Sequence, residues 1–509
     1  MSTNTSGSPV ARPRLAAVNR RQMVMRTIDV ERLIEEDHAV RSIWELVGRL
    51  DLSRYYAEIA AVEGRAGRDH TDPQVLISLW LYAYSRGISS AREVARRCEY
   101  EPAFQWLCAL DLISHRTLSG FRSGHQAALN DLFVQVLGML SAEGLITMER
   151  VTLDGTKIKA NAGGNTFRRQ ETLEAHLQLA REQVRLMEEQ AAAEEQMARR
   201  QVAARRRAAR QRQSRLEAAL REVERMQREK KDDRGSFVAR ASTTDPEAHV
   251  MRNGEGGTVP SYNVQLVTDS AQGLIVNVDA TTDAVDHHQL APALERCKQT
   301  LGRVPPQAVA DGDYTNHASV EAAANCGVDF YGSWPECWKP GERDAQGRSG
   351  AFLSSAFPYH AEPDCFTCPA GKTLTHHATQ KRANGLRIQE YRAPKAACRS
   401  CALRSQCAPP KARPAWVRSI GRSEEPAATV DFKAKMATEQ AQQIYAQRSR
   451  LAEFPHAWIK ERCGLRQFRC RGLLKATLEA TWAALSYNLT RWFALKRQAT
   501  LNPIALASA

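Results

Sequence analysis

The stretch between Phe167 and Asp233 contains neither glycine nor proline and consists mainly of Ala, Glu, Gln, Arg and Leu. That composition predicts long helix. Apolar residues recur at alternating spacings of four and three from Leu173 to Ala191, and the pattern resumes from Leu216 to Val223. The spacing fits either the two arms of a coiled-coil-like hairpin or one extended helix.

Strand-like sequence lies on both sides of this helical stretch, which makes the stretch an insertion into another domain. In residues 151–162, VTLDGTKIKANA, apolar and polar residues alternate around Asp154. An aspartate packs poorly on a half-buried strand, so it needs either a solvent-facing position or a function. Residues 262–282 contain two apolar runs around a DSAQG turn and predict a β-hairpin.

Two further strands follow, each preceded by a helical segment. The first, in QAVADGDYTN, ends in Asp311 and Asp313, and the second is VDFYGSW at 328–334. The predicted order is three strands, a helix, a strand, a helix and a strand. This order matches the core of the ribonuclease H-like fold, which belongs to the α/β class. The chain as a whole, with its additional helical parts, is α+β. Ligands gather at strand ends in such sheets, so Asp311 is well placed for chemistry.

Before this sheet, apolar residues recur at helical intervals and predict an all-helical unit at residues 27–148. Helix, short turn, helix is a layout of many DNA-binding modules. Under that interpretation basic side chains of the unit lie near phosphate oxygens. These side chains are Arg92, Arg96, Arg97, Arg116, Arg122 and His125. The alternative is an ordinary helical bundle with a solvated basic face.

The charge balance points to a polyanionic partner. The chain has 71 basic and 57 acidic residues, a net charge of +14 and a pI near 9.3, which favours nucleic acid. The Arg-rich run at 199–215 fits either a DNA contact or a solvated helix face. No window approaches the roughly 20 apolar residues of a membrane span, so we expect a soluble protein. Residues 1–26 lack the apolar core of a signal peptide and predict a disordered basic tail.

Five of the twelve cysteines cluster late in the chain, at Cys365, Cys368, Cys398, Cys401 and Cys407. They include two C-x-x-C pairs, whose thiolates can meet on one metal, and two such pairs supply the tetrahedral sulfur set that zinc prefers. The alternative is a group of reduced, buried thiols without a metal. The predicted helix at 471–495 is apolar at helical spacing and is expected to close the core behind the preceding helix.

Several motifs occur together and in order: LDGTK around Asp154, the run at 243–252, YNVQLVTD, ADGDY and YAQRSRLAEFPHAWIK. With PQVLISLWLYAYSRGISSAREV and TLSGFR nearer the start, they resemble the DDE transposases of bacterial insertion sequences. The resemblance covers about residues 26–491. It implies a ribonuclease H-like catalytic domain, a helical N-terminal domain and a Cys-rich insertion.

The resemblance also implies a catalytic site of three carboxylates, Asp154, Asp311 and Glu453, holding two Mg²⁺ or Mn²⁺ ions. Asp154 would bridge the ions, and Asp313 is a weaker competitor for Asp311. Hard carboxylate ligands suit Mg²⁺, and two ions roughly 3.5–4 Å apart stabilise the attacking and leaving oxygens of a phosphodiester. Tyr445, Arg448 and Lys460 complete a signature expected to contact the DNA of the element's end; the alternative for each is a charged helix face.

Among the cysteines, the resemblance selects Cys368, Cys398, Cys401 and Cys407 as ligands of a structural Zn²⁺ and leaves Cys365 spare. The expected function is binding of the ends of an insertion sequence, followed by DNA strand cleavage and strand transfer. A catalytically inactive or repurposed DNA-binding relative is the alternative. We expect at least a homodimer on double-stranded DNA, including terminal inverted repeats and target DNA, in the bacterial cytoplasm at the nucleoid.

The predicted organisation divides the chain into consecutive units. They are a tail at 1–26, a helical DNA-binding domain at 27–148, a catalytic core at 149–166 and 234–335, a helical insertion at 167–233, a Cys-rich insertion at 336–425, the Glu453 helix with the C-terminal helices at 426–497, and a tail at 498–509.

Overall fold

The computed structural model describes residues 20–23, 25, 27–61, 64, 69–193, 199–229, 238–254, 256–334, 350–381, 387–409, 412–423 and 425–501. Most of the predicted tails at 1–26 and 498–509 lies outside these ranges. None of the described helices is both long enough and apolar enough to cross a membrane.

Helices fill the first part of the chain. They are α1 (Ala39–Arg49), α2 (Ser53–Ala57), α3 (Pro73–Ser85), α4 (Ala91–Tyr100), α5 (Pro102–Leu107), α6 (His115–Ser123) and α7 (Gln126–Ala142). Side-chain caps fix several of their starts: Asp72 accepts from the Gln74 amide and precedes a proline, and Ser90 and Ser114 cap α4 and α6. The helical character predicted for this region is therefore present.

The central part of the chain alternates strands and helices. Its elements are β1 (Arg150–Lys159), β2 (Phe167–Arg168), α8 (Gln170–Ala193), α9 (Arg199–Glu229), β3 (Ala241–Ser242), β4 (His249–Arg252), β5 (Thr258–Asp269), β6 (Ile275–Thr281), α10 (Leu290–Leu301), β7 (Gln307–Val309), α11 (His317–Asn325) and β8 (Asp329–Tyr331).

Six of these strands form one mixed sheet. Antiparallel β1 and β5 lie at its centre, β4 and β6 pair with the other edge of β5, and β7 and β8 continue parallel to β1. The chain order β1, β5, β6, α10, β7, α11, β8 is the predicted order, so the ribonuclease H-like mixed α/β class is confirmed. The four-residue strand β4 was not predicted, because its sequence HVMR shows no extended alternation.

The helical insertion folds back on itself. Arg181 lies 3.3 Å from Glu217, and Arg210 lies 2.6 Å from Glu188, so α8 and α9 run antiparallel. Apolar residues from both helices bury one another, including Leu173, Leu177, Leu216 and Val223. Of the two alternatives, the hairpin is therefore the one observed. At its base β2 pairs with β3, which brings the two ends of the insertion together.

The rest of the chain forms a second sheet and a final group of helices. Its elements are β9 (Tyr359–His360), β10 (Cys365–Thr367), β11 (Thr373–Lys381), β12 (Arg387–Arg392), α12 (Lys395–Arg399), α13 (Arg404–Cys407), β13 (Ser419–Ser423), α14 (Ala427–Met436), α15 (Glu439–Ala446), α16 (Arg448–Glu461) and α17 (Leu473–Leu501). The antiparallel sheet β13-β12-β11-β10-β9 has a small core of its own.

Helix α17 joins the N-terminal helices to the catalytic sheet. The Trp482 indole N–H donates to the Arg122 carbonyl at 3.3 Å, and the Ser486 hydroxyl donates to the Leu81 carbonyl at 3.1 Å. On the sheet side, Asn488 bonds both the N–H and the carbonyl of Ile275. One hydrophobic core runs through all three parts. The predicted boundary near residue 148 therefore separates types of secondary structure and does not separate two cores.

Candidate active site

Two predicted acids lie just beyond the paired part of two neighbouring parallel strands. The pairing of β1 with β7 ends at Thr152 opposite Val309, and Asp154 and Asp311 each follow two residues later. Each carboxylate is fixed by a nearby amide: Gly155 donates to Asp154 Oδ1 and Asp313 donates to Asp311 Oδ1, both at 2.9 Å. The sheet therefore brings together two acids that are far apart in sequence.

A buried polar network lies directly beside Asp154. Asp286 accepts hydrogen bonds from Asn263 and Gln265, both at 2.6 Å, and from Lys157 at 3.3 Å. A Cβ at Gly155 would lie 2.5 Å from both Asp286 and Gln265. Only glycine fits at this point of β1, which explains the Asp-Gly pair inside a strand. Asp286 was not predicted, because its sequence context carries no catalytic motif.

Burial and neighbouring charges set the state of the two aspartates. Burial raises the pKa of Asp154 to about 6; the Arg448 guanidinium opposes this, and Asp286 and Glu453 add to it. Burial also raises the pKa of Asp311, with Asp154 adding to the rise and Arg448 opposing it. Arg448 therefore acts on both carboxylates, and the charge of Glu453 acts on Asp154.

Helix α16 carries the third predicted acid against the sheet. The helix packs on β1 and β5 and remains helical through Pro455. Glu453 lies on its exposed side and accepts a hydrogen bond from the Ser449 hydroxyl at 3.0 Å. Arg448, the first residue of the helix, lies near both aspartates.

His456 is a residue of this site that sequence reasoning missed. It lies three residues after Glu453, is only 7% exposed, and its Nε2 is 3.7 Å from Asp154 Oδ2. Neither ring nitrogen has a hydrogen-bond partner of good geometry among the described residues. Burial lowers the pKa of His456 to about 4, so the ring is neutral near pH 7. Its spacing from Glu453 was the only available signal.

The remaining predicted positions of the signature lie around the acids. Asp313 is exposed, whereas the pKa of Asp311 is raised by the nearby charge of Asp154. These observations favour Asp311 over Asp313 as the second acid of the site. Tyr445 packs with Val309 and Tyr331 at the end of the parallel strands. Lys460 lies close enough to His456 to lower its pKa.

The predicted DNA contact of Arg122 is wrong. Its side chain is 2% exposed, lies 3.4 Å from the fully buried Glu479, and stacks over Trp80 at 4.5 Å. A guanidinium held in this way lies inside the junction of α6 with α17 and cannot reach a DNA backbone. Sequence spacing could not reveal this, because the partner lies at the other end of the chain.

The other three arginines lie on or near the surface of α4. Arg92 is exposed, Arg96 is exposed and paired with Glu93, and Arg97 is half-buried between Glu93 and Glu101. Any phosphate contact by Arg96 or Arg97 has to compete with these ion pairs.

Four cysteines line one small cavity beside the second sheet, namely Cys368, Cys398, Cys401 and Cys407. Cys365 is not part of the lining and is buried in β10. The Lys372 amide donates to the Cys368 sulfur at 3.3 Å, which places this thiol in a tight turn. Burial raises the pKa of the Cys398 thiol, with Cys368 and Cys401 adding to the rise.

Both groups of residues suit the metals that the resemblance implies. Carboxylate oxygens suit Mg²⁺ or Mn²⁺, the buried unpartnered imidazole of His456 lies against them, and four thiols suit Zn²⁺. As the described side chains stand, no three His, Cys, Asp or Glu groups converge closely enough to hold an ion.

Two stretches of the chain match known transposase families. Residues 28–124 match the family described as "Transposase domain (DUF772)", and residues 367–493 match the family described as "Transposase DDE domain". These two matches support a DDE-type transposase of the insertion-sequence kind. Glu453 lies inside the second match, whereas Asp154 and Asp311 of this transposase lie outside both.

No curated protein matches this transposase. Among solved structures, the piggyBac transposase in a synaptic complex with hairpin DNA aligns with 92% of this chain and 77% of that chain. The identity is 9% and the TM-score is 0.32, a similarity too low to support any further conclusion.

Proposed function

We propose that this transposase binds the ends of an insertion sequence and catalyses metal-dependent DNA strand cleavage and strand transfer. The observation that carries the proposal is the placement of Asp154 beside Asp311, with Arg448 acting on both and Glu453 on the helix packed against β1. A half-buried pair of carboxylates whose pKa values are both raised, in an otherwise well-packed sheet, is typical of a reaction centre.

Each acid has a distinct role in this proposal. Asp154 would bridge two divalent ions, with Asp311 binding one ion and Glu453 the other. When bound, Mg²⁺ or Mn²⁺ ions supply charge neutralisation at the attacking and leaving oxygens of an in-line displacement. The same carboxylates serve both reactions, because water and a DNA 3′-hydroxyl attack phosphorus with the same geometry.

Basic residues around the acids would hold the DNA strand. Arg448 faces the carboxylates and, once their charge is neutralised, is available for a bidentate contact with a phosphate. Lys460 would contact the neighbouring phosphate, and Tyr445 would stack on or hydrogen-bond to the strand. Exposed Arg92 and the ion-paired Arg96 and Arg97 would contribute phosphate contacts from α4. The net charge of +14 supports a DNA partner, and we expect a homodimer or higher multimer on that DNA.

We also propose a structural Zn²⁺ bound by Cys368, Cys398, Cys401 and Cys407. What supports this ligand set is the cavity that the four thiols share and the position of Cys365 outside it. A closed four-thiolate site contributes folding free energy to a small sheet that buries few large side chains.

Cleavage of a supercoiled plasmid tests the catalytic proposal. The plasmid carries the DNA that flanks the coding sequence on both sides, and nicking is measured with Mg²⁺ for the wild type and for Asp154→Asn. We expect nicking by the wild type only. Equal nicking by both proteins contradicts the assignment of Asp154.

A gel-shift assay on the same flanking DNA separates binding from catalysis. We expect Asp154→Asn to bind this DNA as well as the wild type does, because the substitution leaves the proposed phosphate contacts in place. A wild type that binds the DNA and never nicks it supports the alternative of a catalytically inactive DNA-binding protein.

A further inference from the structure

His456 connects two of the acids that lie on different elements. Glu453 and His456 are three residues apart on α16 and therefore project from adjoining positions of the same helix. Glu453 remains exposed, whereas His456 turns inward to within 3.7 Å of Asp154 Oδ2 on β1. The imidazole thus brings the third acid's helix close to the first acid, as Arg448 at the start of the same helix also does.

The ring nitrogens of His456 lie near both the carboxylate and the backbone of Asp154. The side chain is 9% exposed, and neither ring nitrogen has a hydrogen-bond partner of good geometry among the described residues. A buried polar group without a hydrogen bond destabilises the folded state. The groups that face it are the carboxylate and the backbone of Asp154 on β1, Asp286 beside β5 and Lys460 from its own helix.

We propose that His456 is a positioning residue, which donates a hydrogen bond from Nε2 to Asp154 Oδ2 when the site closes around divalent ions. The bond would hold the Asp154 carboxylate in one orientation, with its other oxygen toward the ions. It would also hold α16 against β1, so that Glu453 reaches the same ions. This inference rests on the proposed metal-dependent function.

The donor can be tested with two variants of nearly equal shape. His456→Gln retains an N–H donor, whereas His456→Met fills a similar volume without one, and both residues favour helix. Mn²⁺ binding is measured from the loss of the free-ion signal in electron paramagnetic resonance, with no DNA present. Losing a partner that orients a metal ligand typically weakens metal binding about 10–100-fold. We expect that loss for His456→Met and a smaller one for His456→Gln.

The outcomes separate this inference from the proposed function. If the wild type and Asp154→Asn bind Mn²⁺ equally weakly, the proposed metal site itself is wrong. If the wild type binds Mn²⁺ and His456→Met binds it equally well, or if His456→Gln binds as weakly as His456→Met, the positioning role is wrong.

A measurement on the wild type covers the case in which His456→Met does not fold. Nitrogen-15 spectra of labelled histidine are recorded with and without Mg²⁺, and the His456 signals are assigned by their loss in His456→Gln. A hydrogen bond that forms on metal binding shifts the Nε2 signal. An unchanged His456 spectrum at a Mg²⁺ concentration that shifts other histidines overturns the inference.

Discussion

Asp154 and Asp311 occupy equivalent positions on adjacent parallel strands, each two residues beyond the last paired residues, Thr152 and Val309. Because parallel strands align their carboxyl ends, the register alone places these acids side by side. Asp313 lies in the same loop but points into solvent. The backbone thus distinguishes two aspartates that the sequence presents almost as equals.

Substitution of the two neighbouring aspartates is expected to give opposite results. Asp311→Asn removes a ligand charge and should lower Mg²⁺-dependent cleavage at least about 10³-fold, equivalent to several kcal/mol of lost stabilisation. Asp313→Asn is the matched control and should retain activity within about threefold, because its side chain is exposed. The rate of plasmid nicking measures both. If only Asp313→Asn loses activity, Asp313 and not Asp311 is the second metal ligand.

Asp154 is expected to destabilise the metal-free fold at neutral pH. Its folded-state pKa of about 6 lies above the ordinary value of 3.8, so the folded state binds more protons between these values and stability falls as pH rises through them. The resulting loss in the free energy of unfolding is fully present above pH 6 and amounts to about 3 kcal/mol.

Asp154→Asn should therefore raise the thermal midpoint in chelator at pH 7.5 and change it little at pH 4. Thermal unfolding at the two pH values measures the difference. The exposed substitution Asp313→Asn serves as the control and should change neither midpoint. An equal effect of Asp154→Asn at both pH values would mean that burial does not perturb this carboxylate.

Much of the catalytic sheet could be predicted from local pattern. The alternation around Asp154, the hairpin at 262–282 and the short buried strand before Asp311 follow directly from side-chain periodicity, and the sheet has the expected order. The position of Glu453 followed only from resemblance to a family, because an exposed glutamate on a charged helix carries no distinctive pattern.

Contacts between distant segments could not be predicted. Asp286 reaches the site because the loop after β6 meets Asn263 and Gln265 of β5, and His456 reaches it because α16 packs against β1. Apart from the spacing of His456 from Glu453, nothing near either residue in sequence indicates these contacts. The five-stranded sheet around the cysteines was also missed, since its strands, such as TLTHHATQK, are rich in polar residues and alternate weakly. Arg122 was misassigned for the same reason, because local sequence does not show what covers a helix.

The cysteine cavity is expected to bind close to one equivalent of zinc. Cys401→Ser should abolish that zinc, because a site with three thiolates and a hydroxyl binds Zn²⁺ much more weakly. Cys365→Ala is the matched control and should keep the metal, because Cys365 does not line the cavity. Elemental analysis of purified protein measures the content. Wild-type protein with far less than one equivalent, or zinc loss in Cys365→Ala alone, would contradict this ligand set.

The buried pair of Arg122 and Glu479 is expected to hold the N-terminal helices on α17. Arg122→Met leaves Glu479 buried without its cation and should cost about 3–5 kcal/mol. Glu479 also accepts from the amides of Arg469 and Cys470, so the double variant with Glu479→Gln keeps these bonds without the charge and should be more stable than Arg122→Met. Exposed Arg92→Met is the control. The thermal unfolding midpoints of the three variants measure these differences in stability. A double variant less stable than Arg122→Met would refute the proposed interaction between Arg122 and Glu479.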